Sequence, residues 1–162
     1  MEQIRTNKNK ITKTEEIKNN FEKKIFNFLS TTKPTFELLE EIKNNIWTLQ
    51  KIRFIVSWEE IMNALIIFKD DVLEVLYFET VNWKNQLNKT SNNIKISWVW
   101  RFSIYNFIQL AKKNWLKQIK FDIKETEIWF YEKIDEEIQL YKGIKKCEII
   151  DKVDRSCFIL TI

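Results

Sequence analysis

One stretch carries the clearest strand signal in the chain and decides the expected fold: Ile94-Lys95-Ile96-Ser97-Trp98-Val99-Trp100-Arg101-Phe102. Apolar side chains at the even positions alternate with mostly polar or smaller ones at the odd positions, which is the period of a half-buried strand. We expect Trp98 and Trp100 to lie in the core. The odd face, with Lys95, Arg101 and Tyr105, is left to contact a partner.

Downstream, the pattern predicts one helix and then a sheet. Ile104 to Trp115 has helical spacing, with Ser103 as a candidate N-cap. Alternation or short apolar runs then predict further strands, at Ile119–Ile123, Ile128–Phe130, Ile138–Tyr141, Cys147–Ile150 and Cys157–Ile162. We therefore expect an antiparallel sheet to dominate the second half of the chain.

The first third of the chain has helical spacing. Ile17, Phe21, Ile25 and Phe28 form one stripe of a helix over 13–29. A near-heptad stripe from Leu38 to Val56 predicts a second helix that begins at Pro34. We expect a helical hairpin over 13–56, preceded by a flexible basic tail over 1–12.

The segment 57–83 allows two interpretations. Ser57 and Glu60 fit a capping box, which predicts a helix that begins at Trp58. This helix either continues through 64–83 or gives way to a strand at Val72–Thr80, after a turn at 69–71; we favour the strand. The expected fold class is α+β in one domain, 1–162, with the sheet-containing core over 57–162.

Composition excludes several function classes. The chain has 162 residues, 44% of them hydrophobic, which is enough to bury a core. It contains one glycine, so glycine-rich phosphate loops are excluded, and no histidine, so histidine triads and histidine-based zinc sites are excluded. The excess of Ile, Lys and Asn is typical of an AT-rich genome.

The formal net charge of +4 is mildly basic, and its distribution is uneven. On the helix predicted from Ser103, Lys113, Lys117 and Lys120 recur at i, i+4 and i+7, with Lys112 adjacent. Such a lysine face fits phosphates or an acidic protein surface, although an ordinary solvated helix face has the same pattern.

Two weaker constellations concern carboxylates and thiols. Asp122 and Lys124 on one side of a strand, with Asp70, Asp71 or Glu74 as a second acid, are half of a metal-dependent nuclease site. The two cysteines, at positions 147 and 157, are expected to be free thiols. A terminal hairpin centred on 152 would place them opposite each other.

The functional expectation is a small, non-catalytic protein-binding protein without a cofactor or metal. It would be either an inhibitor of a larger nucleic-acid-handling machine, of the phage anti-defence type, or an accessory subunit. The alternative is a nucleic-acid-contacting subunit of a ribonucleoprotein, such as an organellar ribosome; a metal-dependent nuclease is third. We expect a cytoplasmic or mitochondrial-matrix protein whose partner is another protein, with RNA or DNA as the alternative and no membrane contact.

Overall fold

The computed structural model describes residues 2–80, 98–151 and 156–162. The described part contains three helices and seven strands. In chain order these are α1 (Glu2–Thr32), β1 (Thr35–Lys43), β2 (Trp47–Val56), β3 (Glu59–Lys69), β4 (Val72–Thr80), α2 (Val99–Lys113), β5 (Gln118–Ile123), α3 (Ile128–Glu137), β6 (Lys146–Asp151) and β7 (Ser156–Thr161). Short 3-10 turns at Glu125–Glu127 and Ile138–Leu140 flank α3.

The strands form one sheet in the order β1-β2-β3-β4-β5-β7-β6. Each neighbouring pair is antiparallel except β4 and β5, which are parallel and joined through α2. A parallel pair needs a long crossover, and α2 lies within that crossover. In the described sheet, β4 and β5 are therefore the one pair of neighbouring strands whose carboxyl ends lie at the same edge.

All three helices contribute to a core on the same face of the sheet, which we call the helix face. Phe54 of β2 packs on Phe102 of α2, and Phe102 packs on Phe28 of α1. On β5, Phe121 packs on Phe107 of α2 and on Tyr131 of α3. The core is therefore one apolar layer between the sheet and the helices.

The expected helical hairpin over 13–56 is wrong in its second half. The first helix is confirmed, with Phe21, Ile25 and Phe28 buried. The residues after Pro34 form the β1–β2 hairpin instead, because Asn44 turns the chain: its side-chain oxygen accepts from the backbone N–H groups of Ile46 and Trp47, both at 2.8 Å. α1 begins at Glu2, so the structure places helix where a flexible tail over 1–12 was expected.

The helix expected from Trp58 is also wrong. Ser57 and Trp58 both have positive φ, 50° and 69°, which is the geometry of a two-residue hairpin turn between β2 and β3. The strand expected at Val72–Thr80 is confirmed as β4, and Asp70 turns the chain before it with φ 53°.

The strand expected at Ile94 to Phe102 is wrong where the structure describes it. Residues 94–97 lie outside the described residues, and Trp98 to Phe102 form the start of α2 instead of a strand. Trp98 and Trp100 are half-buried and pack at the border of the core. Ser103 does not cap the helix: it is buried inside it, and its hydroxyl donates to the Val99 carbonyl at 2.8 Å.

The α+β class with a mainly antiparallel sheet is confirmed, as are strands at 119–123, 147–150 and 157–161. The strands expected at 128–130 and 138–141 are a helix and a 3-10 turn. Both cysteines are free, but they do not face each other: Cys147 lies opposite Leu160, and Cys157 opposite Ile150. No helix in the described ranges is long and apolar enough to cross a membrane.

Candidate functional site

The parallel pair β4/β5 is only half closed. Its strands pair at four positions, from Val72 with Gln118 to Val75 with Phe121, and β4 then continues to Thr80 without β5 beside it. A β-bulge lies at this point: Val75 is opposite Ile66 and Tyr77 is opposite Leu65, so Leu76 is the extra residue. A bulge bends its strand, and here it coincides with the point where β4 leaves β5. We call the resulting opening the split.

Aromatic side chains line the split on the helix face. Phe78 of β4 contacts Phe107 of α2, Phe121 of β5 and Phe130 of α3, with ring centroids 5.6 to 6.0 Å apart. Phe121 is fully buried, whereas Phe78 and Phe130 are half-buried. The closed half of the strand pair is thus sealed by core packing, and the split is lined by rings that remain in partial contact with solvent.

The first turn of α2 lies next to this aromatic lining. Trp100 packs on Phe130, and the guanidinium carbon of Arg101 lies 4.3 Å from the Trp100 ring centroid and 4.7 Å from that of Trp98. Two hydrogen bonds, at 2.9 and 2.8 Å, join Arg101 to the Glu137 carboxylate at the end of α3. The bidentate pair fixes α3 against the start of α2.

A cavity of about 320 Å³ opens at the same place, between α1, the start of α2 and the end of α3. Its lining combines apolar and charged side chains: Ile17, Asn20, Phe21, Lys24, Trp98, Arg101, Glu137 and Leu140. The ammonium of Lys24 lies 5.4 Å from the Trp98 ring centroid. No side chain caps the N-terminus of α2, and the first helical bond runs from the Phe102 N–H to the Trp98 carbonyl. The cavity therefore lies beside uncapped amides and a lysine, a setting that favours an anion.

Tyr131 is a buried titratable group beside the closed part of the β4/β5 pair. It packs on Phe121, where the β4/β5 pairing ends, and on Phe158 of β7. Burial first, and then the negative charges of Glu127 and Asp122, raise the pKa of Tyr131 above its ordinary value of about 10. Tyr131 thus keeps its proton at physiological pH, and its hydroxyl can donate a hydrogen bond.

The expected lysine face of α2 does not exist as one surface, because α2 ends at Lys113. Lys117 is in the following loop, 3.7 Å from Asp71. Lys120 is on β5, on the opposite face of the sheet, 4.0 Å from Glu74. Lys112 and Lys113 are exposed at the end of α2. Their role in binding stays a prediction, without the helical spacing that suggested it.

The other predicted partner residues are dispersed. Arg101 is in the α2–α3 junction and is engaged by Glu137 rather than displayed on a strand. Tyr105 is half-buried, with its ring edge-on to Phe26 of α1, and burial followed by the charge of Glu22 raises its pKa. Lys95 lies outside the described residues.

Two of the three second acids of the nuclease hypothesis lie away from Asp122: Asp70 and Asp71 are in the turn where β4 begins, whereas Asp122 is near the end of β5. Glu74 lies nearer, because it pairs with Lys120, two residues before Asp122 on the same face of β5, but its carboxylate is 4.0 Å from the Lys120 ammonium. Among the described residues, no group of three metal-ligating side chains is close enough to hold an ion. Sequence reasoning singled out Arg101 but missed its partner Glu137, which is distant in the chain, and it missed the bulge at Leu76, which lies in the apolar run from Val75 to Phe78.

No family model matches the sequence, and no curated protein is similar to it. Solved structures resemble the fold. An acetyltransferase from Bacillus subtilis in complex with CoA superposes with a TM-score of 0.46 at 11% identity, covering 80% of this chain and 99% of the other. The PaiA N-acetyltransferase from Thermoplasma acidophilum in complex with coenzyme A gives 0.46 at 10% identity, covering 70% of this chain; the chain spans only 61% of that protein. The ribosomal-protein-S18-alanine N-acetyltransferase from Escherichia coli gives 0.45 at 10%, covering 80% and 92%.

This finding contradicts the functional expectation drawn from the sequence. A non-catalytic protein-binding protein, whether an inhibitor or an accessory subunit, was expected, with an RNA-contacting subunit as the alternative and no enzyme activity. The solved structures that resemble the chain are acetyltransferases instead. At this level of similarity the likeness concerns the fold.

Proposed function

We propose that the chain is an acyltransferase that binds a coenzyme A thioester at the split and passes its acyl group to an acceptor. Two of the similar structures are complexes with coenzyme A. The ligand has three parts that can be compared with this chain: a phosphate-bearing head, an arm with two amide groups, and a thioester. The observation that carries the proposal is the split itself, opened by the bulge at Leu76.

The separated strands suit the arm. Beyond Val75, no strand among the described residues pairs with the edge of β4 that faced β5. An extended ligand that contains amides can hydrogen-bond to such an edge as an added strand does. The rings of Phe78 and Phe130 touch, with centroids 6.0 Å apart, so entry of the arm requires Phe130 to move off Phe78.

The start of α2 suits the head. Its uncapped amides and the Lys24 ammonium lie beside the cavity, and both attract phosphate. The Trp98 ring lies next to the Lys24 ammonium and the Arg101 guanidinium, so two positive charges are held at the cavity. The chain has no glycine between β4 and α2, so a glycine-rich loop whose backbone N–H groups surround a phosphate is absent from that segment. Positive side chains at the cavity have to bind the phosphate in its place. These residues fit the head of the ligand.

Tyr131 suits the thioester end. When bound, the thioester supplies an activated acyl carbon and a thiolate leaving group. The Tyr131 ring packs on Phe121, at the end of the β4/β5 pairing, and its raised pKa keeps the hydroxyl protonated and able to donate a hydrogen bond. We assign Tyr131 the role of hydrogen-bond donor to the departing sulfur, which takes up the proton that an amine acceptor loses as its bond to the acyl carbon forms.

Isothermal titration of the full chain with acetyl coenzyme A tests the proposal. The chain offers a matched pair of bulges: Leu76 in β4, at the split, and Leu39 in β1, far from it. Leu76→Trp should fill the split and weaken binding by about tenfold or more, while Leu39→Trp should leave binding unchanged. Thermal unfolding of both variants confirms that each is folded.

A transfer assay completes the test. Release of free coenzyme A thiol is followed with a mixture of amine-bearing peptides and small amines as acceptors. Tyr131→Phe should retain binding but lose turnover. The proposal is wrong if the native chain does not bind acetyl coenzyme A, or if Leu76→Trp and Leu39→Trp bind equally well.

A further inference from the structure

Trp115 occupies a helix-terminal position that normally belongs to glycine. After α2 the Trp115 N–H donates to the Lys112 carbonyl at 3.1 Å, and the Leu116 N–H to the Ala111 carbonyl at 2.9 Å. These two bonds form a Schellman motif, whose residue in the left-handed conformation is usually glycine. Trp115 holds this conformation with φ 58°. A bulky residue is strained there, so stability does not explain it.

The Trp115 side chain is also unprotected. It is 89% exposed, which makes it one of the most exposed large side chains in the described part of the protein. It projects from the end of the sheet where β4 and β5 begin, which we call the basal end, opposite the split. Ile46, at the tip of the β1–β2 turn, is 67% exposed at the same end. Two apolar side chains thus protrude on the same side.

Lysines surround these side chains. The basal end is continuous: the Lys117 N–H donates to the Asp71 carbonyl, the Ile162 N–H to the Lys117 carbonyl, and the Lys145 N–H to the Thr161 carbonyl. Its exposed charges include seven lysines and two aspartates: Lys43, Lys69, Lys112, Lys113, Lys117, Lys145 and Lys146, with Asp70 and Asp71. The basal end therefore presents positive charge together with a protruding indole.

We propose that the basal end docks on an anionic lipid bilayer. Tryptophan prefers the headgroup level of a membrane, and lysines near the surface are attracted by acidic lipids. Ile46 favours a bilayer over single-stranded nucleic acid as the partner. An isoleucine at the tip of a turn cannot stack on a base, whereas it can enter the boundary between the lipid headgroups and the acyl chains. From the sequence no membrane contact was expected, because the chain contains no long apolar segment that could span a bilayer. Docking at the surface of a bilayer does not need such a segment.

Co-sedimentation of the full chain with vesicles tests the proposal. Binding should require phosphatidylserine in a phosphatidylcholine bilayer and should fall as salt is raised. Trp115→Gly should weaken binding by about tenfold while the melting temperature stays the same or rises, because glycine relieves the strained position. Lys113→Glu combined with Lys117→Glu should weaken binding by about tenfold or more.

Trp58 provides the matched control. It too is a fully exposed tryptophan with positive φ, 69°, but it lies at the other end of the sheet beside Glu59. Trp58→Gly should leave vesicle binding unchanged. The proposal is overturned if vesicles with phosphatidylserine are not bound, if Trp58→Gly reduces binding as much as Trp115→Gly, or if single-stranded polynucleotide binds through Trp115 while vesicles do not.

Discussion

The two halves of β4 pair with the same strand, β3, on one side, but only the first half pairs with β5 on the other side. In the first half, Leu73 and Val75 on β4 and Ile119 and Phe121 on β5 are buried to within 1% of full exclusion from solvent. In the second half, one extra residue, Leu76, bends β4 away, and Tyr77, Phe78 and Glu79 beyond it are half-buried or exposed. A single inserted residue therefore converts a closed sheet into an opening lined by rings. Substitutions in the two halves should have correspondingly different effects.

The largest effect is expected in the closed half. Phe121 contacts rings from α2, α3, β4 and β7, and it has no exposed surface. Phe121→Ala should lower the free energy of unfolding by about 3–5 kcal/mol, through lost contacts and the cavity left behind. Urea unfolding followed by circular dichroism measures this. A loss below about 1 kcal/mol would mean that the closed half is not packed as described.

A smaller loss is expected in the split. Phe78 is half-buried, so Phe78→Ala should lower the free energy of unfolding by about 2 kcal/mol, less than Phe121→Ala does. The same urea titration compares the two variants directly. If Phe78→Ala costs as much as Phe121→Ala, the two halves are equally closed and the contrast between them disappears.

Loss of the Arg101–Glu137 contact, which anchors α3 to the start of α2, should lower the free energy of unfolding by less than Phe78→Ala does. Arg101→Met keeps much of the stem that packs on Trp98 and Trp100 but removes both bonds to Glu137. We expect a loss of about 1–2 kcal/mol, the scale of hydrogen bonds to a charged group. Glu137→Gln should cost less, because the amide can still accept one bond. Equal stability of Arg101→Met and the native chain would contradict the anchoring role.

The smallest effect is expected in alkaline solution. Because the folded pKa of Tyr131 is raised, the unfolded chain loses this proton first as pH increases. The contribution to stability is complete below pH about 10 and is lost as pH rises toward the folded pKa. Tyr141 is buried as well, and its pKa is raised in the same way. Tyr131→Phe should therefore flatten, but not abolish, the decline of stability above pH about 10, as measured by urea unfolding at several pH values. A decline identical to that of the native chain would show that Tyr131 is ionised in the folded state.

The sequence predicted the elements whose pattern is local. α1 and β5 follow from apolar periodicity, β6 and β7 from short apolar runs, and β4 from a stretch rich in residues that favour strands. β3 does not alternate, since Ile61, Met62, Ala64, Leu65 and Ile66 are apolar on both faces, and such a run does not distinguish strand from helix. The stretch at 98–102 alternates like a strand, but packing of Val99 and Phe102 on the core makes it helical. Tertiary contacts override the local pattern in both cases.

The candidate site was less predictable than the fold. The bulge at Leu76 depends on the register between β3 and β4, which no local pattern records. The cavity depends on the approach of α1, α2 and α3, three segments that are distant in the chain. Arg101 was singled out as a contact residue. It proved to be held by Glu137, a partner that only the fold brings close.

Hydrogen–deuterium exchange tests most directly whether the bulge opens a ligand site. Without ligand, amides of the β4 segment 76–80 should exchange faster than those of 72–75, because among the described strands β5 covers only the latter. Acetyl coenzyme A should slow exchange in 76–80 and at the start of α2, and should leave the β1–β2 hairpin unchanged. Equal exchange in the two halves of β4, or ligand protection confined to other elements, would contradict the assignment of the split as the ligand site.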